Sequence, residues 1–383
     1  MSCTKGQRNL PQQALELKLQ HRGPEVFFRG LIEISDKCRK NCLYCGIRGG
    51  NCNVLRYEMT DEQVLQEAQF ALNAGYGSLA IQGGERSDSA FVERITRLVS
   101  LIRQLQPGGN PLDVLNRPSG TASAPKNELG ITLSLGEQPL EVYKEWMAAG
   151  ATRYLLRIEA SNKELYEKLH PGFTYTGANP KDAQLHSYER RVQALHDLKS
   201  AGYLLGSGIM IGLPFQTSQI LDEDLKFLKD LQVDMVGMGP YIPHKDTPLG
   251  QIVSHWKEGT PLPDSLLQLA GLPRGDFWNL SGRELLELCL EMVAKLRIMM
   301  PHINIAATTA LQVLDPMGRE MALMHGANVI MPNMTETSLR GSYSLYEGKH
   351  GVEDDAASTR DKLLENLRAL GIPVGWNLRG DWR

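Results

Sequence analysis

The chain has 383 residues, 42% of them hydrophobic, with 41 Lys and Arg against 44 Asp and Glu for a net charge of −3. That near balance argues against a nucleic-acid-binding surface, which needs a strongly basic face, and no apolar run reaches the ~18 residues of a membrane span. Six scattered cysteines and no secretory leader are read as those of a cytoplasmic protein without a disulfide framework.

Apolar, β-branched segments alternate with segments of helical period, the pattern of a parallel α/β fold. Strands are expected over 31–35, 78–82, 131–135, 154–159, 206–211, 235–238, 303–307 and 328–331. Helices over 61–74, 91–105, 140–149, 221–231, 283–299 and 319–325 fall between them. Gly75, Gly150, Gly202 and Gly326 each stand shortly before a strand, where a helix ends in left-handed backbone. Eight such units predict an α/β fold that is a complete (β/α)8 TIM-type barrel with N-terminal and C-terminal extensions. The whole chain is expected to be one domain, with its barrel core near 30–335, an extension over 1–29 and a C-terminal segment over 336–383. A partial barrel of six units would leave the last two strands unexplained. Stretches 107–128, 173–186 and 254–277 are polar or rich in Pro and Gly and read as insertions, the first as an extended loop.

Just after the first strand, Cys38, Cys42 and Cys45 are spaced C-x3-C-x2-C. Three thiolates on one loop can hold three irons of a 4Fe–4S cubane, whereas a structural or electron-carrying cluster usually takes a thiolate for each iron. The fourth iron is then open to bind and break a ligand. A zinc knuckle would need a fourth protein ligand, and no partner C-x2-C or H-x3-H pair is present. Cys3, Cys52 and Cys289 show no regular spacing, and Cys289 sits in an apolar helical stretch as a small hydrophobe.

In such barrels the active site lies at the C-terminal ends of the strands. Gly83-Gly84-Glu85 follows the second expected strand, Glu159 ends the fourth, Pro240-Tyr241-Ile242-Pro243-His244 follows the sixth, and Thr308-Thr309 follows the seventh. An open iron at low potential can pass an electron to a chelated sulfonium, breaking a carbon–sulfur bond to leave a carbon radical. Gly83 and Gly84 allow close backbone approach to such a ligand, or form an ordinary turn. Glu159 can accept hydrogen bonds from ribose hydroxyls, or merely pair with Arg157. Arg191 can clamp a carboxylate, or lie solvated on its helix. Tyr44, between two of the cysteines, can pack over adenine or over the cluster.

The cysteine run followed by Gly-Gly-Glu resembles the radical S-adenosylmethionine (radical SAM) superfamily. Longer runs at 27–33, 38–46, 133–137, 153–157, 212–214, 234–249, 306–310 and 326–333 resemble the [FeFe]-hydrogenase maturase family HydE. Methylornithine synthase is a near relative of that family and biotin synthase a more distant one. The resemblance implies a 4Fe–4S cluster and S-adenosylmethionine at the top of the barrel. Cys38, Cys42 and Cys45 would ligate the cluster, and Tyr44, Gly84, Glu85, Thr132, Glu159 and Arg191 would contact S-adenosylmethionine. Arg157, Thr308, Thr309 and Tyr346 would face the substrate, with Arg29 and Arg153 as anion-binding candidates lower down. The implied substrate is an iron–carbonyl–cyanide–cysteine complex supplied by the maturase HydG, with attack on its cysteine sulfur by the 5′-deoxyadenosyl radical. HydG and HydF are the implied protein partners, and a ferredoxin or flavodoxin the reductant. Some members carry three more cysteines near the C-terminus; residues 346–383 have none, so one cluster of roughly four irons is expected. Two other readings stand beside this one: an amino-acid mutase like methylornithine synthase, and an iron–sulfur scaffold or carrier. A carrier has no need of a nucleoside pocket.

Overall fold

The computed structural model describes residues 9–116, 126–170, 187–267, 271 and 273–381. Nine strand segments build one parallel sheet: β1 Phe27–Ser35, β2 Ser78–Gly83, β3 Gly130–Ser134, β4 Arg153–Leu155, β5 Leu204–Ser207, β6 Met210–Ile211, β7 Met235–Pro240, β8 Asn304–Ala307 and β9 Val329–Ile330. Their order is β5-β4-β3-β2-β1-β9-β8-β7-β6, and β5 also pairs with β7, which closes the sheet on itself. β5 and β6 are one expected strand broken at Gly208 and Ile209, so the closed barrel is eight-stranded, as the eight-unit pattern required.

Each strand sends alternate residues to opposite faces. Along β1, Phe28, Ile32 and Ile34 pack outward beneath the helices, while Arg29, Leu31 and Glu33 line the interior. Ile32 and Ile34 are fully buried, each worth about 1.5–3 kcal/mol of transfer free energy. β1 ends in a register shift between Glu33 and Ser35 against β2, an irregularity that re-aims the chain into the cysteine loop.

Two strands depart from their expected bounds for steric reasons. The break in the fifth strand falls where a Cβ on Gly208 would lie 1.9 Å from the Gly237 carbonyl oxygen, so only glycine lets the chains approach there. The fourth strand stops at Leu155 rather than 159, and Glu159 adopts a left-handed φ of 65°. It is held by Glu159 N–H donating to Gly208 O (3.0 Å) and Met210 N–H donating to Glu159 O (2.9 Å).

Helices cover the barrel and start at side-chain caps. The helix Asp61–Asn73 opens with a Thr60/Gln63 capping box and Gly282–Met299 with a Ser281/Glu284 box. The helix Tyr188–Ser200, capped by Ser187, carries Arg191 inward. Within 107–128 the chain forms a short helix, Pro111–Leu115, rather than only a loop, because Asn110 caps it and Pro111 is pre-set for its first turn. The insertion 173–186 lies outside the described residues. The insertion 254–277 begins inside the helix Pro248–Glu258 and returns with Arg274 between Trp256 and Trp278, 4.6 Å from each ring.

The N-terminal helix Leu10–Arg22 packs on Gly282–Met299, and the chain's end closes the barrel floor. Val374 bridges Val26, Asn304 Nδ2 donates to Gly380 O (2.8 Å), Arg22 donates to the same carbonyl, and Arg153 ion-pairs with Asp381. Among the described residues no helix is long and apolar enough to cross a membrane.

Candidate active site

At the C-terminal ends of the strands the barrel holds a cavity of about 330 Å³. Gly83, Arg157, Glu159, Arg191, Thr308, Thr309 and Tyr346 all reach its wall, from five separate segments of the chain. Beside it lies the cysteine loop. Arg56 holds that loop in shape by donating to the carbonyls of Asp36 (2.6 Å), Ile47 (2.8 Å), Arg48 (2.7 Å) and Asn51 (3.2 Å). Asp36 in turn accepts from Tyr57 N–H at 2.7 Å.

Gly84 has a different use from the close ligand approach read from sequence. A Cβ there would lie 2.4 Å from the Lys37 carbonyl oxygen, so the missing side chain seats the cysteine loop against the end of β2. The next residue, Glu85, donates its N–H to Cys38 Sγ at 3.3 Å. The three cysteines are half-buried. Burial, followed by the neighbouring Cys38, pushes the Cys42 thiol up to about 12. Burial and the other two thiols push Cys45 well up, and burial followed by Glu85 raises Cys38. Three crowded thiols of this kind become thiolates when cationic iron offsets their mutual repulsion. The donor set therefore fits a cubane held at three corners.

Glu137 is the hub that joins this loop to the cavity. It accepts from Lys40 Nζ (3.0 Å) and from Arg191 Nε, and its own N–H donates to Glu85 Oε2 (2.9 Å). Glu85 also takes Arg39 Nη2 at 3.0 Å and lies 3.5 Å from Lys40. Burial works against the Glu137 carboxylate, but Arg191 and then Lys40 more than offset it and hold its carboxyl down at about 2. Arg191 is thus buried and anchored, and it donates further to the Arg157 carbonyl.

Glu159 pairs with Arg157 at 3.0 Å, and Arg157 donates onward to Ile209 O at 2.7 Å. Burial raises the Glu159 carboxyl, opposed by Arg157 and Arg191. A carboxylate on a left-handed residue beside two guanidiniums is held in place by its surroundings. Tyr44 Oη lies 2.9 Å from His170 Nε2, so the tyrosine between the ligands is fixed by the end of the helix Lys163–Leu169. Thr308 Oγ1 donates to Met238 O at 3.0 Å. Burial raises the Tyr346 phenol.

Thr132 lies elsewhere. It lines a void of about 10 Å³ one layer lower, with Arg29 and Arg153, while Ser134 of the same strand reaches the main cavity. Arg153 there already has a carboxylate of its own chain in Asp381. Burial, then Arg153, lowers the Arg29 guanidinium to about 9, and its Nε has no hydrogen-bond partner among the described residues.

Sequence reasoning gave no role to Glu137, Lys40, Glu33 or Lys349. Glu33 accepts from Lys349 Nζ (2.6 and 2.8 Å) and Asn333 Nδ2 (2.9 Å), pinning the C-terminal segment across the cavity. The available signal was a Glu, at 33 or 137, in an otherwise apolar strand or just after one.

Residues 32–228 match the model of the radical SAM superfamily. Over 360 residues the chain is 39% identical to the [FeFe] hydrogenase maturase subunit HydE of Thermotoga maritima, covering 94% of this chain and 85% of that protein. The chain belongs to the radical SAM superfamily and, within it, to the HydE family. It is 24% identical to the 3-methylornithine synthase of Methanosarcina acetivorans, over 94% of this chain and 83% of that one. Among solved structures, methylornithine synthase superposes with a TM-score of 0.69 at 21% identity, covering 96% of this chain and 89% of the other. The [FeFe]-hydrogenase maturase HydG superposes with a TM-score of 0.65 at 18% identity, covering 94% and 67%. At those identities the superpositions speak for the barrel alone. As a radical SAM enzyme, the chain takes a 4Fe–4S cluster and S-adenosylmethionine.

Proposed function

We propose that this radical SAM enzyme acts in assembly of the [FeFe]-hydrogenase H-cluster, on an iron–carbonyl–cyanide–cysteine complex delivered by HydG. What carries the reading is the 39% identity to HydE across nearly the whole chain. When bound, a 4Fe–4S cluster would supply the electron for reductive cleavage of S-adenosylmethionine. Cys38, Cys42 and Cys45 hold that cluster. Tyr44, Gly84, Glu85, Glu159 and Arg191 form or brace the S-adenosylmethionine pocket, with Glu159 accepting from the ribose. Thr132, one layer lower, belongs with the cavity floor in this reading.

Arg157, Thr308, Thr309 and Tyr346 face the substrate. Arg157 offers a counter-charge to an anionic complex, and the threonine hydroxyls donate to its cyanide or carboxylate groups. The closed floor and the segment over the cavity exclude water. The enzyme carries one cluster, since residues 346–383 hold no cysteine, and iron analysis giving close to eight irons per chain rather than roughly four would overturn that count. HydG and HydF are its partners, a ferredoxin or flavodoxin its reductant, and the cytoplasm its compartment.

The likeness to 3-methylornithine synthase supports a second reading, an amino-acid mutase in which the same basic and hydroxyl groups hold an amino-acid carboxylate. The test is anaerobic reconstitution, reduction and assay of 5′-deoxyadenosine with the HydG product or with lysine. An adduct formed only with the HydG product supports the maturase; rearranged lysine selects the mutase.

A further inference from the structure

A second cavity, of about 280 Å³, lies beside the barrel between the end of β9 and the helix Ala356–Ala369. Four residues line both this side chamber and the barrel cavity: Thr309, Met331, Asn333 and His350. The two spaces are thus separated by one layer of side chains. The outer wall is polar, with Gln312, Arg319, Thr359, Asn366 and the Lys362–Asp354 pair (2.7 Å). Arg319 is 8% exposed; its Nη2 donates to Glu320 Oε1 at 3.0 Å, while its Nε has no hydrogen-bond partner among the described residues.

The other routes into the barrel are obstructed. The floor is closed by Gly380 and Asp381, tied to Arg22, Asn304 and Arg153. Above, the segment carrying Leu345 and Lys349 is fastened down by Gly46 N–H donating to Leu345 O (3.0 Å) and by the Glu33–Lys349 pair. S-adenosylmethionine must occupy what remains of the mouth, between the cysteine loop and Glu159. A second reactant then needs a door of its own.

We propose that the side chamber is that door: a lateral entry site through which a small polar substrate passes between Thr309, Met331, Asn333 and His350 into the barrel while S-adenosylmethionine is bound. Arg319 is paired with Glu320 and Lys362 with Asp354, so the wall is polar without a net charge of one sign and favours a small polar molecule over an apolar one. Met331 and Thr309 set the width of the opening, and His350, on the exposed edge, lies at its outer end.

The inference rests on the barrel cavity being where the substrate reacts, but its test requires no maturation substrate. Met331→Cys places a thiol in the partition, and its alkylation by iodoacetate, a small carboxylate, is followed by peptide mass mapping in the anaerobic cluster-loaded enzyme. Exposed Cys52 serves as the reference. Alkylation at position 331 is expected to persist with saturating S-adenosylmethionine. Filling the chamber by Thr359→Trp is expected to slow it on the order of tenfold, with Cys52 unaffected. Gln312→Trp, on another wall, repeats the measurement should Thr359→Trp fold poorly by circular dichroism. Alkylation abolished by S-adenosylmethionine would overturn the proposal, whatever the filled variants do, because entry would then be by the mouth. Alkylation indifferent to both fillers, or absent in every state, would overturn it too. A chain that labels as expected yet forms no adduct with the HydG product keeps the door and loses the maturase reading.

Discussion

The top and the floor of this barrel both bury arginines, and they satisfy them differently. At the top, Arg191, Lys40 and Arg39 converge on Glu137 and Glu85, and each carboxylate takes several charge-assisted bonds. At the floor, Arg153 has the carboxylate of Asp381, while Arg29 faces Arg153 with no acid bonded to it among the described residues. The top is held rigid by a complete network that is in place before any ligand binds. The floor depends on Asp381, 228 positions from Arg153, to supply its counter-charge. The contrast places several counter-charges around the cations where chemistry is expected and a single one, from far along the chain, where it is not.

Cys42→Ala tests the top most severely. It is expected to bring S-adenosylmethionine cleavage to background with the barrel intact, because the loop lies outside the apolar core. Normal 5′-deoxyadenosine formation would refute the ligand assignment. Glu137→Gln comes next. It leaves Arg191 and Lys40 buried without their counter-charge and is expected to destabilise the fold by about 3–5 kcal/mol in urea unfolding. Because the folded-state carboxyl of Glu137 is held down at about 2, its stabilisation is present above its unfolded value near ~4.3 and is lost as pH falls from there through 2. The variant should flatten that acid limb of stability against pH, and an unchanged limb would show that Glu137 is not its source.

Asp381→Asn probes the floor and is expected to cost about 1–3 kcal/mol, less than Glu137→Gln, while S-adenosylmethionine cleavage continues at the parent rate. Equal losses at the two sites would erase the distinction between them. The smallest effect is expected of Thr309→Val, which removes one hydroxyl from the cavity wall. Substrate-dependent turnover should fall about tenfold, one hydrogen bond's worth, with substrate-free S-adenosylmethionine cleavage unchanged.

The barrel was legible because parallel strands buried on both faces are apolar runs, and a glycine stop marks the helix before many of them. Their ends were less so. The fifth strand breaks at Gly208 because of a contact with Gly237 some thirty positions away, and the fourth ends early because Glu159 turns left-handed between Gly208 and Met210. Neither cause is local in the chain. The cysteine loop was likewise readable, since metal ligands must be close in sequence to share one tight loop. The role of Gly84 was not, because the atom it avoids belongs to Lys37.

Periodicity and short-range spacing determined, from the amino-acid order alone, that this chain is a β/α barrel with three thiols gathered at one end. Both signals arise within a few residues, where backbone geometry leaves little choice. Only the tertiary structure decided which charges meet. Glu137 with Lys40 and Arg191, Glu33 with Lys349, and Arg153 with Asp381 are joined across 97, 54, 316 and 228 positions. Ion pairing has no sequence period, and a buried charge takes whichever partner closure of the barrel brings within reach.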